Sequence, residues 1–157
     1  MRTEASMLSR IGIAIAMVGA LLTTSCQRVE PIEYVDAAMA IHDPELTITE
    51  EYRRKYGIPS DAADKSAIKL LLLHKARESR DLEAQSIANI LLAWEFLTED
   101  CERGMEYLNE HLRLSPGSWA APLAGPTTPE ACERASQGIR VFIMGENPET
   151  IHPTTSE

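Results

Sequence analysis

Residues 101–116, CERGMEYLNEHLRLSP, admit one regular backbone. Cys101, Met105, Leu108 and Leu112 recur at i, i+4, i+7 and i+11, and Glu102, Arg103, Glu106, Asn109, Glu110 and Arg113 fill the other positions. A 3.6-residue period gathers the first set into one stripe and the second onto the opposite face. The result is an amphipathic helix that must lay its stripe on a core. Glu99, Asp100 and Glu102 suit the positive end of its dipole and Arg113 the negative end, and Pro116 and Gly117 stop it.

The remaining segments read the same way. Pro31 and Pro44 bracket a short helical stretch, IEYVDAAMAIHD. Thr49 is placed to cap EEYRRKYG, with Glu50 and Glu51 in the first turn and Gly57 at the end. Ser60 or Asp61 is placed to cap the next helix, running to about Ser79. Its run IKLLLLHKA is apolar on more than one face, so neighbours must cover it from two sides. Asp81 restarts the pattern as DLEAQSIANILLAWEFLTED, where only Asn89 and Glu95 are strongly polar from Ile87 to Leu97. This segment is the expected central helix. Trp94 and Phe96 on it are expected to pack in the core, with a binding role second.

A loop rich in Pro, Gly and Ala follows over 115–127 and carries Trp119. Thr128 then Pro129 start the last helix, whose stripe is Cys132, Ala135, Ile139 and Phe142, and Gly145 ends it. The run IRVFIM has strand-like composition but continues that stripe, so it reads as helix. The expected fold is all-α, a small bundle of about four to six helices. Residues 26–46 read as a lead-in, 47–146 as the helical domain and 147–157 as a polar, disordered tail. A net charge of −9 and an aromatic fraction of 5% argue against a nucleic-acid surface.

The first 26 residues set the compartment. Arg2 and Arg10 precede a 12-residue apolar run, Ile11 to Leu22, followed by small residues and Cys26. That is the layout of a secretory signal over residues 1–25. The run is short of the ~20 apolar residues that span a bilayer. Ending at a cysteine, the segment resembles a bacterial lipoprotein signal. Thr24 and Ser25 suit the two small positions before the cysteine, while Thr23 stands where leucine is usual. The resemblance implies a lipid on Cys26 and a membrane anchor. Gln27, rather than aspartate, follows the cysteine, which by the same resemblance implies the outer membrane. A plain signal-peptidase cut is the alternative, leaving Cys26 on a soluble chain or removing it.

With lipid on Cys26, an even pair remains in an exported chain, Cys101 and Cys132, the count for one disulfide. Both cysteines fall in the first turn of a helix, so a bridge sets two helix N-termini side by side. The two helices then run the same way, and the 115–127 loop returns along the first, anchored by Trp119. Two free buried cysteines are the alternative.

Residues 84–117 are similar to a single tetratricopeptide repeat: helix, short acidic turn, helix, then Leu-x-Pro-Gly. Ala88, Leu91, Gly104, Leu108 and Pro116 fall near the usual positions, while Leu92 and His111 stand where small residues are usual. A 34-residue shift finds no second copy. The resemblance implies a helical hairpin used in protein binding.

Signals for chemistry are lacking. His42, His74, His111 and His152 have no metal-ligand spacing, and there is no GxSxG, P-loop or dinucleotide glycine pattern. Neither a metal, a cofactor nor an enzymatic activity is expected. YRRKY, residues 52–56, is the one basic cluster and reads as a solvated face, or as a contact to anionic headgroups. The expected function is that of a tethered helical lipoprotein facing the periplasm or the surface. It would bind a protein of an envelope complex as an assembly, pilot or accessory factor, with Trp94, Phe96 and Trp119 as contacts. The alternative is an exported immunity or exclusion lipoprotein that blocks a toxin or incoming conjugation or phage machinery. A compact cluster of buried polar residues would favour a third class, a cell-wall or small-molecule enzyme.

Overall fold

Capping chemistry sets the helix boundaries. The computed structural model describes residues 28–62 and 64–145. The signal over 1–25, Cys26 and the tail over 147–157 lie outside the described residues. The helices are α1 Pro31–Ala40, α2 Glu50–Tyr56, α3 Lys65–Arg77, α4 Leu82–Phe96, α5 Cys101–Leu114 and α6 Pro129–Met144, with a 3-10 turn at Ala121–Leu123. All regular structure among the described residues is helical.

The side chains of Thr49, Asp81, Asp100 and Thr128 each accept a backbone N–H from the first turn of the helix that follows. Gly57 and Gly145 end α2 and α6 at φ of 59° and 64°, a left-handed conformation that glycine takes without a Cβ clash. One start differs from the sequence reading. Helix α3 begins at Lys65, capped by Asp64, rather than after Ser60 or Asp61. The cause is tertiary: Arg53 Nη1 donates to the carbonyls of Pro59 and Ala62 at 2.8 and 2.9 Å, which holds that stretch as a turn.

Helix α4 is the centre of the bundle. Ala84, Ala88, Leu91, Leu92 and Ala93 are all buried, and α1, α3, α5 and α6 all touch the helix. Helix α1 contributes Val35, Ala37 and Ala38 to the same core. The helical body therefore extends N-terminally of residue 47 and takes in part of the lead-in. The α4–α5 hairpin turns through four residues, Leu97 to Asp100. A Cβ on Gly104 would stand 2.7 Å from the backbone N and Cα of Leu97, so only glycine lets α5 lie this close to the turn.

Cys101 and Cys132 are bonded, with Cα atoms 5.6 Å apart. This joins the N-termini of α5 and α6. Trp119, in the loop beyond the C-terminus of α5, stacks on Phe142 near the C-terminus of α6, with ring centroids 3.7 Å apart. The two helices therefore run the same way, as the cysteine placement predicts. Closing a loop of this size stabilises the fold by about 3–4 kcal/mol through the unfolded state's lost entropy. Phe142 itself corrects the expected α6 stripe. It is exposed, and the core positions are Cys132, Ala135 and Ile139, with Ile143 packed against them.

The bundle has two distinguishable ends. At the lead-in end, Arg28 to Pro31 and Glu78 to Asp81 line one cleft next to the start of α4. There the start of α4 also shares a cleft with the C-terminus of α5 and residues 115–118. At the bridge end are the disulfide, the Lys69–Glu95 ion pair at 2.7 Å and a bond from Lys65 Nζ to the Asp43 carbonyl.

Gly104→Ala is expected to cost about 1–3 kcal/mol, the usual penalty for forcing an atom into a packed contact. Urea unfolding measures it. A variant as stable as the parent would show that the Leu97 turn yields freely.

Candidate functional site

Three places in the fold carry the chemistry-bearing side chains. The first is a closed notch at the bridge end, between α1, α3 and α4, too tightly packed to admit a water molecule. Met39, His42, Lys69, Leu73, Trp94 and Glu95 line it. The rings of His42 and Trp94 lie 5.6 Å apart, and Met39 is exposed beside them. Lys69 and Glu95 form the charged edge, the lysine almost wholly enclosed. An enclosed cation needs its partner, because the surroundings replace little of its lost hydration.

The second place is the outer face of the α4–α5 hairpin. Phe96 packs on Tyr107 at 5.6 Å, and the Arg103 guanidinium sits 4.1 Å over the Phe96 ring. Arg77 covers Tyr107 from α3 at 5.1 Å. Trp94 and Phe96 are two residues apart, about 200° around the helix. They face different neighbours, and the structure does not bring them into one groove.

The third place is at the lead-in end, where a polar cluster is buried. His111 Nδ1 lies 2.9 Å from the Ser86 carbonyl, which can only accept, so Nδ1 carries the proton. In the neutral ring Nε2 is then an acceptor, and the Ser118 hydroxyl donates to it at 2.7 Å. Ser86 Oγ lies 3.0 Å from Nδ1 and 2.8 Å from Ser115 Oγ. Ser118 Oγ also accepts the Ala120 N–H at 3.2 Å. The cluster borders an open cleft of about 600 Å³ walled by Leu82, Ile87 and Leu114. It pins the start of the loop to the α4–α5 hairpin, and it leaves a serine hydroxyl on a histidine base. Trp119 follows directly and stacks outside the cluster on Phe142.

Neither this network nor the Lys69–Glu95 pair emerges from sequence spacing. The usable signals were slight: His111 on the buried edge of the α5 stripe, and Lys69 alone in the apolar run IKLLLL. Among the described residues no group of three or more His, Cys, Asp or Glu side chains could hold a metal ion. No described helix is long and apolar enough to cross a membrane.

His42 and His74 both titrate below the usual imidazole range. Burial is the largest cause at each; Lys69 adds to it at His42, and Arg77 and Arg103 add at His74. The unfolded chain lacks these restraints and takes up protons first. Stability is therefore complete above the ordinary histidine value of about 6.5 and declines as the pH falls through it. Glu110, held low chiefly by its hydrogen bond from Arg113, belongs to a more acid window. Thermal midpoints should drop on moving from about pH 7.5 to about pH 5.5, and the double variant His42→Gln, His74→Gln should flatten that slope. An equally steep profile in the double variant would place the titration elsewhere. Comparison with known protein families, with curated proteins and with solved structures gives no match for this chain.

Proposed function

We propose that the chain is a lipoprotein tethered through Cys26 that holds a protein of an envelope complex at the bridge end of its bundle. The observation that carries this reading is the surface over the closed notch beside Trp94. An exposed methionine and a half-buried tryptophan there sit next to an ordered ion pair. Aromatic anchors in a partly desolvated setting are the usual centres of protein interfaces. That surface lies on α1, α3 and α4 at the end away from residue 28, so a tether leaves it accessible. Phe96, engaged by Arg103 and Tyr107, serves to stiffen the hairpin behind it.

Photocrosslinking in cells tests this reading. A crosslinker at Met39 should capture one discrete protein, and a crosslinker at the exposed Glu106 should not. Trp94→Ala should cut capture roughly tenfold or more. Cys26→Ser should release the protein from membranes. The captured protein, envelope machinery or a toxin, separates an assembly role from an immunity role. No capture from position 39, or a Cys26→Ser chain that stays membrane-bound, would overturn the proposal.

A second reading rests on the Ser118–His111 contact. In it Ser118 Oγ attacks a carbonyl carbon while its proton passes to His111 Nε2, which returns it to the leaving group. A fluorophosphonate probe should then label the protein, and Ser118→Ala should abolish labelling. An unlabelled wild-type protein would remove this reading.

A further inference from the structure

We infer that the lead-in end of the bundle is a lipid-contact surface, and that Trp119 meets the bilayer interface rather than a protein partner. The inference rests on the tethered reading above and adds which face the tether presses to the membrane.

Five large apolar side chains are exposed among the described residues, and four of them gather at one end. Leu82 opens α4 and is 65% exposed; Trp119, Phe142 and Met144 are 37%, 58% and 56% exposed. Leu82 lines the cleft with Pro116, Gly117 and Ser118, and Trp119 is the next residue. Phe142 stacks on Trp119, and Met144 closes the same helix. Phe142 and Met144 lie about 200° apart around the helix, so the four share one end of the bundle rather than one face, and exposed apolar side chains gathered at one end, unlike ones scattered singly, mark an end that is covered in use.

The occupant follows from where the chain begins. Arg28 and Val29 line one cleft with Ser79, Arg80 and Asp81, immediately before Leu82. Cys26 is two residues before Arg28, and two residues span at most about 7 Å. Acyl chains on Cys26 therefore hold this end, and no other, at the bilayer. Tryptophan favours the headgroup boundary, where its ring gains apolar contact while its N–H stays near water, and phenylalanine and leucine bury on the acyl side of that boundary. The rim around Arg28 carries two cations, Arg28 and Arg80, and three acids, Glu30, Glu78 and Asp81. With the charges nearly balanced, apolar contact rather than attraction to anionic lipid carries the docking, so added salt leaves it in place. The notch at Trp94 lies about 18 Å away along α4, by 12 residues at 1.5 Å each.

The test uses the full, acylated chain purified from membranes and reconstituted in phospholipid vesicles with brominated acyl chains. Trp94→Phe leaves Trp119 as the reporter, and Trp119→Phe leaves Trp94. Trp119 fluorescence should be quenched several-fold more than Trp94 fluorescence, with no loss at raised salt. Phe142→Asp with Met144→Asp, both surface changes, should lower Trp119 quenching while the protein stays vesicle-bound. A vesicle-bound protein with both tryptophans quenched alike, or neither quenched, overturns this inference alone. So does an unquenched Trp119 that crosslinks to a second copy of the chain. A wild-type chain that behaves like Cys26→Ser and stays out of the vesicles overturns the tethered reading as well.

Discussion

Ala84, Ala88, Leu91, Leu92 and Ala93 leave α4 almost no face to show to water, and the rest of the chain is arranged by the need to cover it. Helices α1 and α3 close one side, and α5 and α6 the other. The alanines let backbones approach, and Ile68, Leu72, Met105, Leu108 and Ile139 fill the space between. Covering a helix all round also encloses what polar groups it has. Glu95 answers Lys69 at 2.7 Å. Asn89 donates to the Gln85 carbonyl, but its own oxygen has no partner among the described residues. Such an orphan costs about 1–3 kcal/mol, which the surrounding apolar packing offsets.

Two attachments keep the last third of the chain on that core. The Cys101–Cys132 bond fixes the N-termini of α5 and α6. The His111 cluster ties the far end of the loop's start to Ser86 on α4. Between them the loop has little freedom. Leu123 lies so close to α6 that a Cβ on Gly138 would stand 2.5 Å from its side chain. The sixth helix is thus held by the covalent link, by its buried face of Ala131, Cys132, Ala135 and Ile139, and by the close approach of Leu123 to Gly138.

What was legible in the residues divides along the same line. Local chemistry was readable: the caps at Thr49 and Thr128, the helix restart at Asp81, the acidic start of α5, the glycine stops, the stripe of α5 and the buried character of α4 all follow from short-range rules. The bonding of Cys101 to Cys132 followed from parity and position. Contacts that depend on distant segments were not readable. Arg53 moved the start of α3, and Trp119 drew Phe142 out of the expected core stripe. Ser86, His111 and Ser118 come from three segments, and nothing in their spacing announces that they meet. Trp94 and Phe96 read first as core aromatics and Trp119 as a loop anchor; their separation to different faces and ends required the fold.

The topology also fixes an order of events. The two pairings around the central helix join chain neighbours, α3 on α4 and α4 on α5, so little loop closure opposes their assembly; α1 closes on α3 across α2. Bundles with such local contacts gather on the order of microseconds to milliseconds. Thiol oxidation takes seconds to hours. The five-helix body is therefore complete long before the link between residues 101 and 132 can form. In that interval the start of the last helix is held by packing alone, while the His111 cluster already ties the loop's start to the other end of the bundle. The oxidising capacity of the surroundings therefore sets when the bridge end is locked, and the aromatic end can take its shape before that.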